Sequence, residues 1–209
     1  LLDTIPPERR GHIRTLGAQA AGDEMAEGLA IIADLIAAAA PVQRAPAPLS
    51  ALTLGVKCGG SDGFSGLTAN PLVGRMADFV GGAGGRVILT EIPELFGAEH
   101  IVMQRAVDEA TFTAAAALIQ DFKAHFTAAG EGLSDNPSPG NIAGGITTLE
   151  EKSLGAVQKG GRVPLVDVAR YGGMATRAGL TLLEAPGNDA VSSTALTSAG
   201  ATVLLFTTG

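Results

Sequence analysis

"ALTLGVKCGGSDGFSGLTANPLVGRMADFV", residues 51–80, decides the fold. A short apolar run at 51–56 gives way to a glycine-rich polar loop, and Pro71 then falls in the first turn of a helical stretch reaching Val80, where its missing N–H costs nothing. Gly81, Gly82, Gly84 and Gly85 stop that helix, and "RVILTEI" (86–92) reads as the next strand. Strand, crossover helix and strand in this order make a parallel βα unit.

The same alternation continues downstream. Phe112, Ala115, Ile119, Phe122 and Phe126 step by three and four, which predicts a helix that can begin as early as Glu99. "SDNPSPGNIAGG" (134–145) lacks an apolar pattern and is expected as a surface loop. Thr148 and Glu151 form a capping-box pattern that opens a helix running to Lys159. Strands at 163–168, 181–186 and 202–207 follow, with a helix from Asp189 to Ala199 between the last two and Asp189 as its cap. The expected class is therefore α/β: a Rossmann-like three-layer domain over residues 49–209 with a mostly parallel sheet of about five strands.

Upstream, Met25, Leu29, Ile32 and Ile36 share one face of a helix over 23–40 capped by Asp23, and that stripe is expected to face a core. "PVQRAPAPLS" (41–50) carries three prolines and reads as a stiff linker. Residues 1–48 are thus expected to be the tail of a preceding segment.

Bulk properties narrow the function. A 209-residue chain with 46% hydrophobic residues can bury a sizeable core. Its net charge of −7 argues against nucleic acid, which demands clustered Lys and Arg. The longest apolar stretch, Leu29 to Val42, is too short to span a bilayer, so no membrane partner is expected. One cysteine forms no internal disulfide, which together with the absence of a leader pattern points to a reducing cytoplasm. Self-association into a homo-oligomer stays open.

In an open parallel sheet ligands bind at the carboxyl ends of the strands. Four loops qualify: 57–70, 91–98, 134–147 and 186–189. The first offers Cys58, Ser61, Asp62, Ser65, Thr68 and Asn70, with glycines that let backbone N–H groups approach an anion. Cys58 lies just past a strand end beside Lys57, a setting with access and a partner for a thiolate. His12, His100 and His125 are scattered, so no Cys–His pair is legible. Glu91, Glu94 and Glu99 lie at and beyond the second strand's end, where carboxylates ligate a cation or act as a base, and Glu91 is the preferred member. Lys152 and Glu151 read equally as ordinary helix charges.

Taken together, "CGGSDGFSGLTANP" (58–71), "TEIPELFGAE" (90–99), "NPSPGNIAGGITTLEEKSLG" (136–155), "APGNDAV" (185–191) and "LFTTG" (205–209) resemble the altronate dehydratase/galactarate dehydratase family, over residues 9–209. "SDGFSG" and "TEIPELFGAEH" favour its altronate branch. In that family the resembling region is the later part of a longer chain, so this sequence is expected to be an excised portion. The resemblance implies a hydro-lyase that dehydrates a sugar acid to a 2-keto-3-deoxy acid with Fe2+, Mn2+ or another divalent metal. It implies Cys58 as a ligand or neighbour of the metal, with the other ligands on a segment upstream of this sequence, and Glu91 or Lys152 as the proton-handling residue. Ser61, Asp62, Thr68, Asn70, Asn141, Gly144, Gly145 and Asp189 are then expected to hold the substrate. Two positions depart from the family pattern, Ile142 where Lys is usual and Ala156 where Cys is frequent. A related sulfolactate sulfo-lyase large subunit and a noncatalytic anion-binding α/β module are the alternatives.

Overall fold

The computed structural model describes residues 2–133 and 136–208, so Ser134 and Asp135 of the expected 134–145 loop lie outside the described residues. The chain divides into two compact units, Leu1–Pro46 and Ala47–Gly209. Among the described residues no helix is long and apolar enough to cross a membrane.

The first unit holds a 3-10 turn (Leu2–Thr4), α1 (Pro7–Arg10) and α2 (Glu24–Ala39). Asp23 caps α2 by accepting from the amides of Met25 and Ala26, and Arg14 pairs with Asp34 at 2.8 Å. The stripe expected to face a core finds none within this unit, where Met25, Leu29, Ile32 and Ile36 are each more than half exposed. Periodicity records that a helix has an apolar face, not that a partner lies against it. Among the described residues this unit has one long helix and nothing of its own large enough to cover it.

The second unit runs β1 (Thr53–Cys58), α3 (Ala69–Gly82), β2 (Arg86–Leu89), α4 (Glu99–Met103), α5 (Glu109–Ala128), α6 (Pro139–Ala143), α7 (Leu149–Ala156), β3 (Leu165–Ala169), β4 (Gly179–Leu183), α8 (Asp189–Ser198) and β5 (Val203–Thr207). Short 3-10 segments occupy Leu49–Ala51, Ile92–Leu95 and Val157–Gly160. The five strands form one sheet in the order β3-β4-β2-β1-β5, and every neighbouring pair is parallel. The expected α/β class with about five strands is what the chain adopts.

Alternation along the strands feeds two cores. Val87 and Leu89 enter the larger cluster, with Val73, Ala77 and Val80 of α3 and Ala115, Leu118 and Ile119 of α5. Ile88 enters the smaller one, with Ala195, Leu196 and Ala199 on and just past α8. Register sets Gly55 opposite both Ile88 and Leu204, and a Cβ at Gly55 would lie 2.5 Å from the Leu204 side chain.

Several boundaries differ from the sequence reading. β1 runs two residues further than expected and takes in Lys57 and Cys58, while β2 stops at Leu89. The helix expected from Glu99 is two, because Asp108 caps α5 afresh by accepting from the Thr111 amide at 2.7 Å. The expected 134–145 surface loop contains α6, whose Asn141 is buried. Asp189 is not the cap of α8; Asn188 is, through the Val191 amide.

The Val157–Gly160 segment is held tightly against α3. A Cβ at Gly74 would lie 2.2 Å from the Gln158 carbonyl oxygen, and Asp78 accepts from the Arg162 amide at 2.5 Å. Gly74→Ala is therefore expected to lower stability by about 1–3 kcal/mol, the range for overpacking a well-filled contact, read as a shift of the urea midpoint.

α4 and α5 are joined by a pair that reports on pH. Lys123 donates to Glu99 and lies 5.2 Å from the centre of the Phe96 ring. Partial burial opposes ionisation of Glu99, but the Lys123 bond and the Gly97 amide outweigh it and hold its carboxyl below the usual range. A depressed carboxyl stabilises the fold above its unfolded value of about 4.3 and loses that contribution as pH falls through the folded value. In Lys123→Met the urea midpoint is expected to fall less steeply than in the parent between about pH 5 and 3.

Candidate functional site

The carboxyl ends of the strands bring together groups that lie far apart in the chain. β1 ends on Cys58, which is buried. Beyond β2 the backbone turns through Glu91, the only non-glycine residue with positive φ among the described residues, at 66°. A left-handed non-glycine position is strained and persists only when its surroundings enforce it. Here the Glu91 carboxylate is completely buried and accepts from the Cys58 amide at 2.9 Å. Glu94 follows on the 3-10 turn and is also buried.

Three lysines converge on these two carboxylates. Lys57 Nζ lies 3.2 Å from Glu91 Oε1 and donates to Asp189 at 2.6 Å and Ser192 at 2.8 Å. Lys159 donates to Glu91 Oε2 at 2.7 Å and lies 3.6 Å from Glu94 Oε2. Lys152 lies 3.1 Å from Glu94 Oε1 and donates to Asn136 at 2.7 Å and Asn141 at 3.0 Å. Three ammonium groups thus face Glu91, Glu94 and Asp189, and the cluster balances with a neutral thiol.

Burial pushes the Cys58 thiol up, Glu94 and Glu91 add to this, and Lys159 opposes it. The Cys58 Sγ–H accordingly points at Glu94, 3.3 Å from Oε2, and itself accepts from Ser61 Oγ at 3.4 Å. Burial also works against an ionised Glu94, yet Lys159 and Lys152 hold it below the ordinary carboxylate range. Lys159 is raised: burial alone would lower it, and Glu91, Glu94 and Cys58 more than compensate. Ligand atoms of Cys58, Glu91 and Glu94 lie within 4.8 Å of one another, so the group can hold a metal ion. Glu91 Oε1 is buried without a hydrogen bond among the described residues, since its Lys57 contact lacks hydrogen-bond geometry.

Beside the cluster opens a cleft of about 180 Å³ whose wall includes Ser61, Asp62, Ser65, Asn70 and Lys152. Asn141 ties its two loops together, donating from Nδ2 to the Ser61 carbonyl at 2.8 Å. The Gly63 amide donates to the Gly144 carbonyl at 2.8 Å, and a Cβ at Gly144 would lie 2.9 Å from the Asp62 Cβ, so the loops touch where glycine allows it. Gly145 turns with φ 97°. The segments around Cys58 and Asn141 therefore share one rim.

Other expected residues are placed differently. The Thr68 hydroxyl is exposed and donates to Phe64 of its own turn. Asp62 Oδ1 accepts from the amides of Phe64 and Ser65. Asn70 is buried and donates to the Gly155 carbonyl at 3.1 Å. Lys57, expected beside a thiolate, serves Glu91 and Asp189 instead, and Cys58 is enclosed rather than accessible. Glu91 and Glu94, downstream of Cys58, offer two further donor atoms close to its sulfur. The reading named Glu94 without preferring it and missed Lys159 and Ser192. A signal for Lys159 existed: it lies seven residues, two helical turns, beyond Lys152, which sets the two on one face.

Comparison with known proteins places this sequence among relatives. The chain is 52% identical over 197 residues to an altronate dehydratase of Bacillus subtilis (strain 168), covering 94% of this chain and 40% of that protein. It is 48% identical over 208 residues to an altronate dehydratase of Escherichia coli (strain K12), covering all of this chain and 41% of that one. A galactarate dehydratase (L-threo-forming) of the same E. coli strain is 38% identical over 167 residues, 80% of this chain and 32% of that protein. The chain thus spans about two fifths of the length of the altronate dehydratases it matches. Residues 49–209, which hold the sheet and every group of the buried cluster, match the family described as D-galactarate/Altronate dehydratase, C-terminal, and the chain belongs to that family.

Proposed function

We propose that this chain supplies the metal-holding and substrate-facing region of a hydro-lyase that dehydrates an altronate-type sugar acid to a 2-keto-3-deoxy acid. The observation that carries the reading is the gathering of Cys58, Glu91 and Glu94 with Lys152 and Lys159 beside a polar cleft. The reaction removes a weakly acidic proton next to a carboxylate and expels a neighbouring hydroxyl as water. It requires a cationic environment for the enediolate charge, a base and an acid.

The donor set fits a divalent ion. One sulfur and two carboxylates suit Fe2+ or Mn2+, and the buried Glu91 Oε1 retains unused acceptor capacity. Bound there, the metal supplies Lewis-acid stabilisation of developing negative charge. The remaining chemistry belongs to the chain. Lys152 lines the cleft and Glu91 does not, so Lys152 moves the proton and Glu91 fixes the strand end and its lysines. Ser61, Asp62 and Asn70 shape the cleft for a polyhydroxy acid, with Gly144 bonded behind Gly63 of its wall and Asn141 holding both Lys152 and the Ser61 loop.

The altronate branch is favoured by the higher identity to the two altronate dehydratases. Anaerobic Fe2+ or Mn2+ added to the intact protein with altronate, galactarate or sulfolactate tests it. A 2-keto-3-deoxy acid formed from altronate is expected; sulfite release from sulfolactate, or turnover of galactarate alone, counts against the reading.

A further inference from the structure

We propose that the Lys159 ammonium is an internal stand-in for the divalent cation, seated between Glu91 and Glu94 beside Cys58, and that a cation must displace it to bind there. The inference rests on the metal reading above and adds a role for a residue that reading leaves unassigned.

The three lysines of the cluster are not equivalent. Lys57 keeps Asp189 and Ser192 as hydrogen-bond partners whatever happens to Glu91. Lys152 keeps Asn136 and Asn141 whatever happens to Glu94. Lys159 has no such alternative: among the described residues its contacts are Glu91 at 2.7 Å and Glu94 at 3.6 Å, the two carboxylates of the metal-holding group. It is the cation dedicated to them.

Position and charge then decide the outcome. A group completely buried, within reach of both carboxylates and electrostatically coupled to Cys58, occupies the neighbourhood in which a metal would gather the same three residues. An ammonium and a divalent ion a few ångströms apart repel strongly away from bulk water. The backbone beneath the lysine is fixed, with Gly160 packed against Arg105 and Gly161 against Asp78, so displacement moves only the ammonium on its four-carbon stem. Seated between Glu91 and Glu94 while no metal is bound, Lys159 completes the neutralisation that Lys57 and Lys152 begin from either side.

The test measures Mn2+ binding to the intact protein from the free-ion EPR signal, with two variants predicted to move in opposite directions. Lys159→Met removes the competitor and is expected to bind Mn2+ at least about tenfold more tightly, with a larger Mn2+-induced rise in melting temperature. Lys159→Arg places a fork that grips both carboxylates more firmly and is expected to weaken Mn2+ binding, which keeps the proposal testable if the methionine variant does not fold. A lysine that merely builds the site would lower affinity in both variants, and that result, or unchanged affinity in both, would overturn the proposal while leaving the metal reading intact. Absence of Mn2+ binding by the parent would overturn both.

Discussion

Replacing Lys159 with methionine is expected to lower the metal-free protein's stability by about 3–5 kcal/mol, the range for removing one member of a buried ion pair. The aliphatic stem is largely matched by methionine, so the loss comes from charge rather than from a cavity. Glu91 and Glu94 both stay buried after the change, and Glu91 Oε2 retains only the Cys58 amide as a donor. Lys57 and Lys152 still neutralise part of the charge, which sets the expectation at the lower end of the range. Urea unfolding at neutral pH measures the change. A double replacement, Glu91→Gln with Lys159→Met, should recover more than half of it, because the orphaned charge is gone. A single variant within about 1 kcal/mol of the parent would mean that the cluster is not held by this lysine.

The second large effect concerns the thiol. Cys58→Ser in the intact protein is expected to abolish retention of Fe2+ and to reduce dehydration by about a hundredfold or more, since mutating even the partners of metal ligands costs about 10–100-fold. Serine still donates to Glu94 and still accepts from Ser61, so the melting temperature of the metal-free protein should barely move. Turnover and metal content together make the test decisive. Unchanged turnover with full metal content would remove Cys58 from the chemistry and leave it as a packed small side chain, the commonest role of a buried cysteine.

Much of this architecture is written in local patterns. The strand, glycine loop and helix at 51–82 are read from spacing and punctuation alone, and the parallel order follows from repeated alternation. Element ends are less legible, and at β1 the difference matters: two more residues in the strand turn Lys57 and Cys58 from loop groups into buried ones. The 134–145 stretch hides α6 because its sequence is rich in Pro, Gly and Asn; its Asn141 is ordered by a partner eighty residues away. Charge pairing is the least legible layer of all. Nothing local to Asp189 distinguishes a helix cap from the acceptor of Lys57, and nothing local to Lys159 shows that it lies under two glutamates. Such pairings arise from strand order, a property of the whole chain.

The backbone at Glu91 carries one more implication. Glycine would relax the left-handed turn there, and a strained non-glycine position of this kind costs of the order of 1–3 kcal/mol. Glycine would also strip a buried partner from Lys57 and Lys159, and breaking a buried ion pair costs about 3–5 kcal/mol, so a laboratory search for heat resistance would keep the acidic side chain together with its strained turn. Durability tolerates the strain because the charge it positions is worth more than the backbone it bends.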